Sequence, residues 1–206
     1  MKIILASTSR YRAQQLRNMG LSFGTCAPQF DEEAYKAKSR LAPRLLSQRL
    51  ASEKARSVYL NRIKSQPASK TDLVVIGADQ LVCLGKTVLG KPHSSKNAVK
   101  MLTKMQGRKH QLITSICVMG PNNKTFEYTD IVEIKMRALT GDQIRQYIDR
   151  DRPFDCAGSY RFEKGGLTLV QSLKIQDPSS LIGLPLIALT DILLRFGSIP
   201  FRKGAK

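Results

Sequence analysis

The hydroxyl run Ser7-Thr8-Ser9 stands directly behind the apolar stretch Ile3-Ile4-Leu5-Ala6 and directly ahead of Arg10 and Arg12. A short buried strand ending there opens a helix whose first turn carries unpaired backbone N–H groups, hydroxyls and guanidiniums. Free donors, the positive end of the helix dipole and fixed cations together suit a phosphate. The same residues also read as an ordinary Ser/Thr cap beside solvated arginines. Acidic groups complement them. Asp31-Glu32-Glu33 follows a second apolar segment, Asp79 follows the apolar run Leu73-Val74-Val75-Ile76, and Asp155 and Glu163 flank Cys156-Ala157-Gly158-Ser159-Tyr160. Carboxylates beside phosphate-binding cations can hold Mg2+ and orient a water, although each acid taken singly is also a normal turn or capping residue. Lys91, mounted between Gly90 and Pro92, and Lys54, on a helical stretch, add fixed charge, and each also reads as a plain turn or solvated helix residue. The sequence holds no Walker A loop, Rossmann glycine pattern, G-x-S-x-G elbow or HExxH.

The elements that must carry these residues alternate along the chain. Residues 2–6 read as a strand and 9–19 as a helix with Leu16 and Met19 on one face and Gly20 as its stop. Residues 21–27 read as a second strand ending at Pro28. The stretch 41–63 is helical, with an apolar stripe of Leu45, Leu46, Leu50, Ala51 and Val58, and 66–69 is a loop. Residues 73–76 read as a strand buried on both faces. It is expected to stop at Gly77-Ala78-Asp79-Gln80, a strand end being the usual ligand position in open α/β sheets. Residues 81–84 read as a separate strand turning at Gly85-Lys86. A helix capped by Ser94 or Ser95 runs to Met105, and strands at 109–119 and 125–137 are joined by Pro121-Asn122-Asn123. Thr140 and Gln143 form a capping box for a helix over 141–149. Residues 167–175 read as another strand, and Pro178 introduces a last helix with Leu186, Leu189, Ile192 and Leu193 on its apolar face. The expected architecture is mixed α/β, a single domain over 1–206 with two lobes around a cleft and a basic tail at 197–206.

Composition agrees with a folded chain that buries a core: 206 residues, 42% hydrophobic and 24% charged. No apolar stretch reaches membrane-spanning length, since 181–189 is short and contains Gly183 and Pro185. The opening residues run straight into a strand without a signal-peptide layout, so a soluble, cytoplasmic protein is expected. Cys26, Cys83, Cys117 and Cys156 lie far apart and only two histidines accompany them, which argues against zinc and for free thiols. The net charge of +18 attracts anionic ligands or nucleic acid. No RNP motif, zinc finger or basic repeat accompanies it, so nucleic acid is not expected as the primary partner.

Taken in order, a set of landmarks resembles the Maf family of nucleotide pyrophosphatases. They are Leu5-Ala6-Ser7-Thr8-Ser9 with Arg12, Asp31-Glu32, Glu53-Lys54-Ala55, Gly77-Ala78-Asp79-Gln80, Gly90-Lys91-Pro92, Gly107, His110 with Thr114, Ala157-Gly158-Ser159-Tyr160, and Ile182-Gly183-Leu184-Pro185-Leu186. The resemblance implies an elongated mixed sheet with flanking helices around a central cleft, related to the ITP-pyrophosphatase class. It also implies a homodimer, a divalent metal (Mg2+ or Mn2+), and hydrolysis of a nucleoside triphosphate between its α- and β-phosphates, in the manner of housecleaning enzymes. Carried over by residue, Ser7, Arg12, Lys54 and Lys91 would neutralise the triphosphate, and Glu32 and Asp79 would ligate the metal. Asp79, or a metal-bound hydroxide beside it, would present water in line with the α-phosphorus, and Gln80 and Ser159 would complete the substrate-binding set.

One branch of the family is similar in finer detail. Cys156-Ala157-Gly158-Ser159, then Glu163 before Gly165-Gly166, and Asp177-Pro178 ahead of Leu181-Ile182-Gly183 resemble the branch that acts on 7-methyl-GTP. The sister branch, acting on dTTP and UTP, typically has lysine at 156, alanine at 159 and glutamine near 163, and stays the alternative. A carboxylate at 163 can accept from the N1–H and exocyclic amine of a guanine-type base, whereas a glutamine presents both a donor and an acceptor. The family's proline at position 10 is Arg10 here and its second arginine is Ala13. Positions 10 and 13 are one helical turn apart, so Arg10 is expected to reach the place that the missing arginine leaves.

Overall fold

The computed structural model describes residues 1–197, the side chains of Ser69 and Lys70 apart; Arg202, Lys203 and Lys206 of the expected basic tail lie outside the described residues. Strand β1 (Lys2–Ala6) leads through Ser7-Thr8-Ser9 into helix α1 (Arg10–Asn18), where the Ser9 side chain accepts from the Arg12 N–H. Strand β2 (Gly24–Thr25) is followed by helices α2 (Glu32–Lys38) and α3 (Pro43–Ser65). Strand β3 (Leu73–Leu84) folds back as the short β4 (Thr87–Leu89), and helix α4 (Ser95–Met105) follows. Strands β5 (Lys109–Met119) and β6 (Thr125–Met136), helix α5 (Gly141–Asp151), strand β7 (Val170–Lys174) and helix α6 (Leu186–Arg195) complete the order. The sheet runs β2-β1-β3-β5-β6-β7 with β4 paired to β3. β1 is parallel to β2 and β3, and every other pair is antiparallel.

Apolar alternation decides which helix covers which face. Ile4, Ala6 and Val75 face α3, where they pack on Ala51, Ala55 and Tyr59, while Ile3, Leu5 and Ile76 face α1 and α6. Toward the far end of β3, Val82 joins Leu102, Leu112, Ile134 and Ile148 beneath α4 and α5. Fully burying one such aliphatic side chain stabilises the fold by about 1.5–3 kcal/mol. Gly77 allows α3 its close approach: a Cβ there would lie 2.2 Å from the Ala51 carbonyl oxygen.

The structure departs from the sequence reading at several elements. The strand expected over 21–27 shrinks to two residues, because β1 offers β2 partners only at Ile4 and Leu5; Leu21 and Phe23 are held by core packing instead. β3 is one strand, and Gly77-Ala78-Asp79-Gln80 lies in its interior, since β5 pairs it without a break from Val75↔Met119 to Cys83↔Gln111. α2 has no buried residue and hence no apolar stripe to betray it. The strand expected from 167 begins at Val170 after a 3-10 turn, and a 3-10 turn over Pro178–Ile182 separates Pro178 from α6. All four cysteines are free; Cys83 and Cys117 are buried, whereas Cys26 and Cys156 are half-buried.

His110, 2% exposed, meets the Tyr160 hydroxyl at 3.0 Å through Nε2. Burial pushes its pKa down to about 4 from 6.5. Between those values the unfolded chain binds a proton that the folded chain refuses, so stability rises with pH across that window. Urea midpoints measured from pH 4 to 6.5 should climb in the wild type and climb less in His110→Gln; parallel curves would refute the assignment.

Candidate active site

β1 ends at Ala6, opposite Gly77, but β3 continues to Leu84 and meets β4 only from Val82 onward. Residues 78–81 of β3 therefore present a bare edge beside the β1–α1 turn. Asp79 shares the α3 side of the sheet with Gly77, and Gln80 points to the opposite side. Lys54 sits on α3 between Ala51 and Ala55, the two residues packed on Gly77, so a helix held at close range delivers its ammonium to Asp79. The Lys54 Nζ lies 2.7 Å from Asp79 Oδ1 and 2.5 Å from Glu32 Oε2. Glu32 opens α2, a helix start fixed by Asp31, whose carboxylate accepts from the Ala34 N–H at 2.9 Å. Lys36, one turn on, binds the other oxygen of Glu32. Burial works to raise the Glu32 carboxyl, but Lys54 and Lys36 outweigh it and hold it at about 2.

Arg12 completes the cluster. Burial lowers its guanidinium from the ordinary value, while the charges of Asp79 and then Glu32 oppose the shift. Its Nη1 reaches the Ser7 hydroxyl at 3.5 Å, and the same hydroxyl accepts from the Ser9 N–H at 3.1 Å. Ser7, Arg12, Glu32, Lys54 and Asp79 are thereby gathered from the β1–α1 turn, α1, α2, α3 and β3 at one sheet edge.

The remaining sequence candidates have other surroundings. Gln80 Nε2 donates to Thr114 Oγ1 at 2.9 Å and to the Ser180 carbonyl at 2.7 Å. Lys91 is exposed and makes no hydrogen bond or ion pair with the described residues; its strip is held by Gly158 N–H donating to the Gly90 carbonyl at 3.3 Å. Ser159 is buried at φ 63° with its hydroxyl 3.1 Å from the Met101 sulfur, so it faces α4 and not the acids. Glu163 is exposed, on the turn that follows. Arg10 is exposed and donates to the Tyr11 hydroxyl at 2.8 Å, while Ala13 is buried against Leu16 and Ile3. The two positions do not share an environment, so Arg10 does not reach where residue 13 points. The Tyr11 hydroxyl raises the Arg10 pKa, with the charge of Asp155 adding to this and that of Arg161 opposing. Lys36 escaped the sequence reading; its signal was the i, i+4 spacing from Glu32.

The family described as Maf-like protein matches residues 2–196. The chain belongs to the Maf family. Among its relatives, a protein of Bdellovibrio bacteriovorus named 7-methyl-GTP pyrophosphatase is 43% identical over 192 residues, covering 93% of this chain and 95% of the relative. One of Syntrophotalea carbinolica with the same name is 41% identical, covering 95% and 94%. Among solved structures, the Staphylococcus aureus Ham1 protein superposes with a TM-score of 0.47 at 16% identity, covering 96% of this chain and all of that one. No helix of the described residues is long and apolar enough to cross a membrane.

The donor set of this Maf protein suits a hard divalent cation. Glu32 Oε2 and Asp79 Oδ1 converge on the Lys54 ammonium, and the second Asp79 oxygen, Oδ2, is buried without a hydrogen-bond partner among the described residues. No group of three or more His, Cys, Asp or Glu among the described residues could hold a metal. Two carboxylates accord with Mg2+, which is commonly held by one or two carboxylates together with substrate phosphates.

Proposed function

We propose that this Maf protein is a nucleotide pyrophosphatase that cleaves 7-methyl-GTP, or a similar modified purine triphosphate, to the monophosphate and pyrophosphate. The observation that carries the reading is the meeting of Glu32, Lys54 and Asp79 at the bare edge of β3, beside the β1–α1 turn where Arg12 reaches the Ser7 hydroxyl. The names of the relatives supply the substrate. Ser7, Arg12, Lys54 and Lys91 bind the triphosphate, and Glu32 and Asp79 hold Mg2+ or Mn2+. The ion, when bound, supplies charge neutralisation and polarises phosphate oxygens. Asp79 takes a proton from the attacking water as its oxygen bonds to the α-phosphorus; the bond from that phosphorus to the bridging oxygen breaks, and pyrophosphate leaves with the electron pair. Such a transfer depends chiefly on positioning and charge stabilisation. The homodimer that the resemblance implies belongs to the same reading.

Pyrophosphate release from 7-methyl-GTP, GTP, dTTP and UTP, with Mg2+ or Mn2+, tests the reading. Release from 7-methyl-GTP in preference to the others supports it, release from dTTP or UTP moves the chain to the sister branch, and no release from any removes the activity. Glu163 is the proposed reader of the base. Its replacement by glutamine should reduce the preference for 7-methyl-GTP over dTTP by about tenfold, the weight of a lost charged hydrogen bond. An unchanged ratio of kcat/KM values would exclude that role.

A further inference from the structure

We propose that the turn from Asp177 to Gly183 is a positioning device for Arg12, with Gly183 and Gln15 as its positioning residues. The inference rests on the reading above, in which Arg12 binds phosphate, and gives work to a motif that no part of that mechanism uses. Arg12 Nε donates to the Gly183 carbonyl at 3.1 Å, which fixes the plane of the guanidinium and turns Nη1 toward Ser7. An arginine with one edge pinned presents its remaining donors in a set direction, and less side-chain freedom is lost when phosphate arrives.

The carbonyl can do this only if the turn itself is rigid, and four further side chains make it so. Gln15, buried on α1 one turn below Arg12, donates through Nε2 to the Ser179 carbonyl at 2.8 Å and to the Leu184 carbonyl at 3.4 Å. Gln80 and Thr114 both donate to the Ser180 carbonyl, at 2.7 and 3.1 Å. Asp177 accepts from the Ser179 N–H at 3.0 Å and from the Ile187 N–H at 2.8 Å, tying the turn to the start of α6. Gly183 lies at φ +116°, a conformation that suits glycine, and a Cβ there would stand 3.2 Å from Arg12 Nε. The backbone conformation and the space beside the guanidinium thus require the same residue. Asp79 and Gln80, adjacent on β3, serve the two sides of the site: one meets Lys54, and the other fixes the turn that aims Arg12.

The test is a double-mutant cycle read in the kinetics of pyrophosphate release from 7-methyl-GTP. Gly183→Ala should raise KM about tenfold with a smaller change in kcat, the scale expected for a modest misplacement of a binding group. The same substitution in an Arg12→Ala background should raise KM no further, because nothing is left to position. Should Gly183→Ala fail to fold, Gln15→Met, which leaves the backbone intact, carries the same cycle. A substitution that adds its full factor in the Arg12→Ala background, or leaves KM unchanged in the wild type, overturns the inference. Arg12→Ala with a wild-type KM would overturn the phosphate role itself, and the turn's role with it.

Discussion

Replacing Asp79 by asparagine should lower turnover about 1,000-fold while nucleotide affinity stays within about threefold, the separation expected when a general base is lost and binding groups are kept. The geometry explains both halves. Asp79 Oδ1 is taken by Lys54, while Oδ2 is buried with no partner among the described residues; it is the oxygen left for the two roles proposed for Asp79, meeting the metal and accepting the water's proton. An asparagine there keeps the shape and the contact to Lys54 and cannot take a proton. In the proposed reading binding is spared because Ser7, Arg12, Lys54 and Lys91 would meet the triphosphate, Glu32 would still hold the metal, and one negative charge fewer would face the substrate. Single-turnover pyrophosphate release, set beside calorimetric binding of a non-hydrolysable analogue, separates the two effects. Turnover near that of the wild type would remove Asp79 from the chemistry.

Lys54→Met should cost both stability and activity. The substitution leaves Asp79, 2% exposed, and the half-buried Glu32 facing the same point without the ammonium between them. Breaking a buried pair by removing one partner typically costs 3–5 kcal/mol; with Glu32 still tied to Lys36, the lower figure of about 3 kcal/mol is expected in urea unfolding. Turnover should fall at least about 100-fold, as for loss of a preorganised donor at a site of developing charge. The two losses separate in a second variant. Adding Asp79→Asn to Lys54→Met removes the stranded charge and should restore most of the stability without restoring turnover. If the double variant is as unstable as Lys54→Met, the ion pair is not what holds α2, α3 and β3 together.

Elements with strong local chemistry were legible in the sequence. The Ser9 cap and the Thr140–Gln143 capping box each identify a helix within about four residues, and the apolar stripe of α4 does so over the eight residues from Ala98 to Met105. β3 was misread because Gly77 looks like a stop. Its reason lies 22 to 26 positions earlier in the chain, in the backbone of Ala51 and Ala55, which a Cβ would strike. α2 was missed because a wholly solvated helix leaves no periodic pattern, although Asp31, its two glutamates and Lys36 carry the charge order of a helix start. Glu32, Lys54 and Asp79 could be assembled from the sequence only through the family resemblance, since spacing alone says nothing about three residues on three elements. The hydroxyl of Ser159 shows the reverse: a residue picked out by its motif turns into the core.

β3, β5 and β6, of 12, 11 and 12 residues, run from the cluster under α1 and α6 to the cluster under α4 and α5. A jaw-like closure over the bare edge of β3 would have to bend all three strands and shear their ladders at the same level. The floor of the site is therefore a stiff beam, and the fold supplies no hinge at that point. Fitting and release of a ligand fall to the long side chains along the rim and to the loops that bear them, so the enzyme acts as a fixed jig whose pegs move while its frame does not.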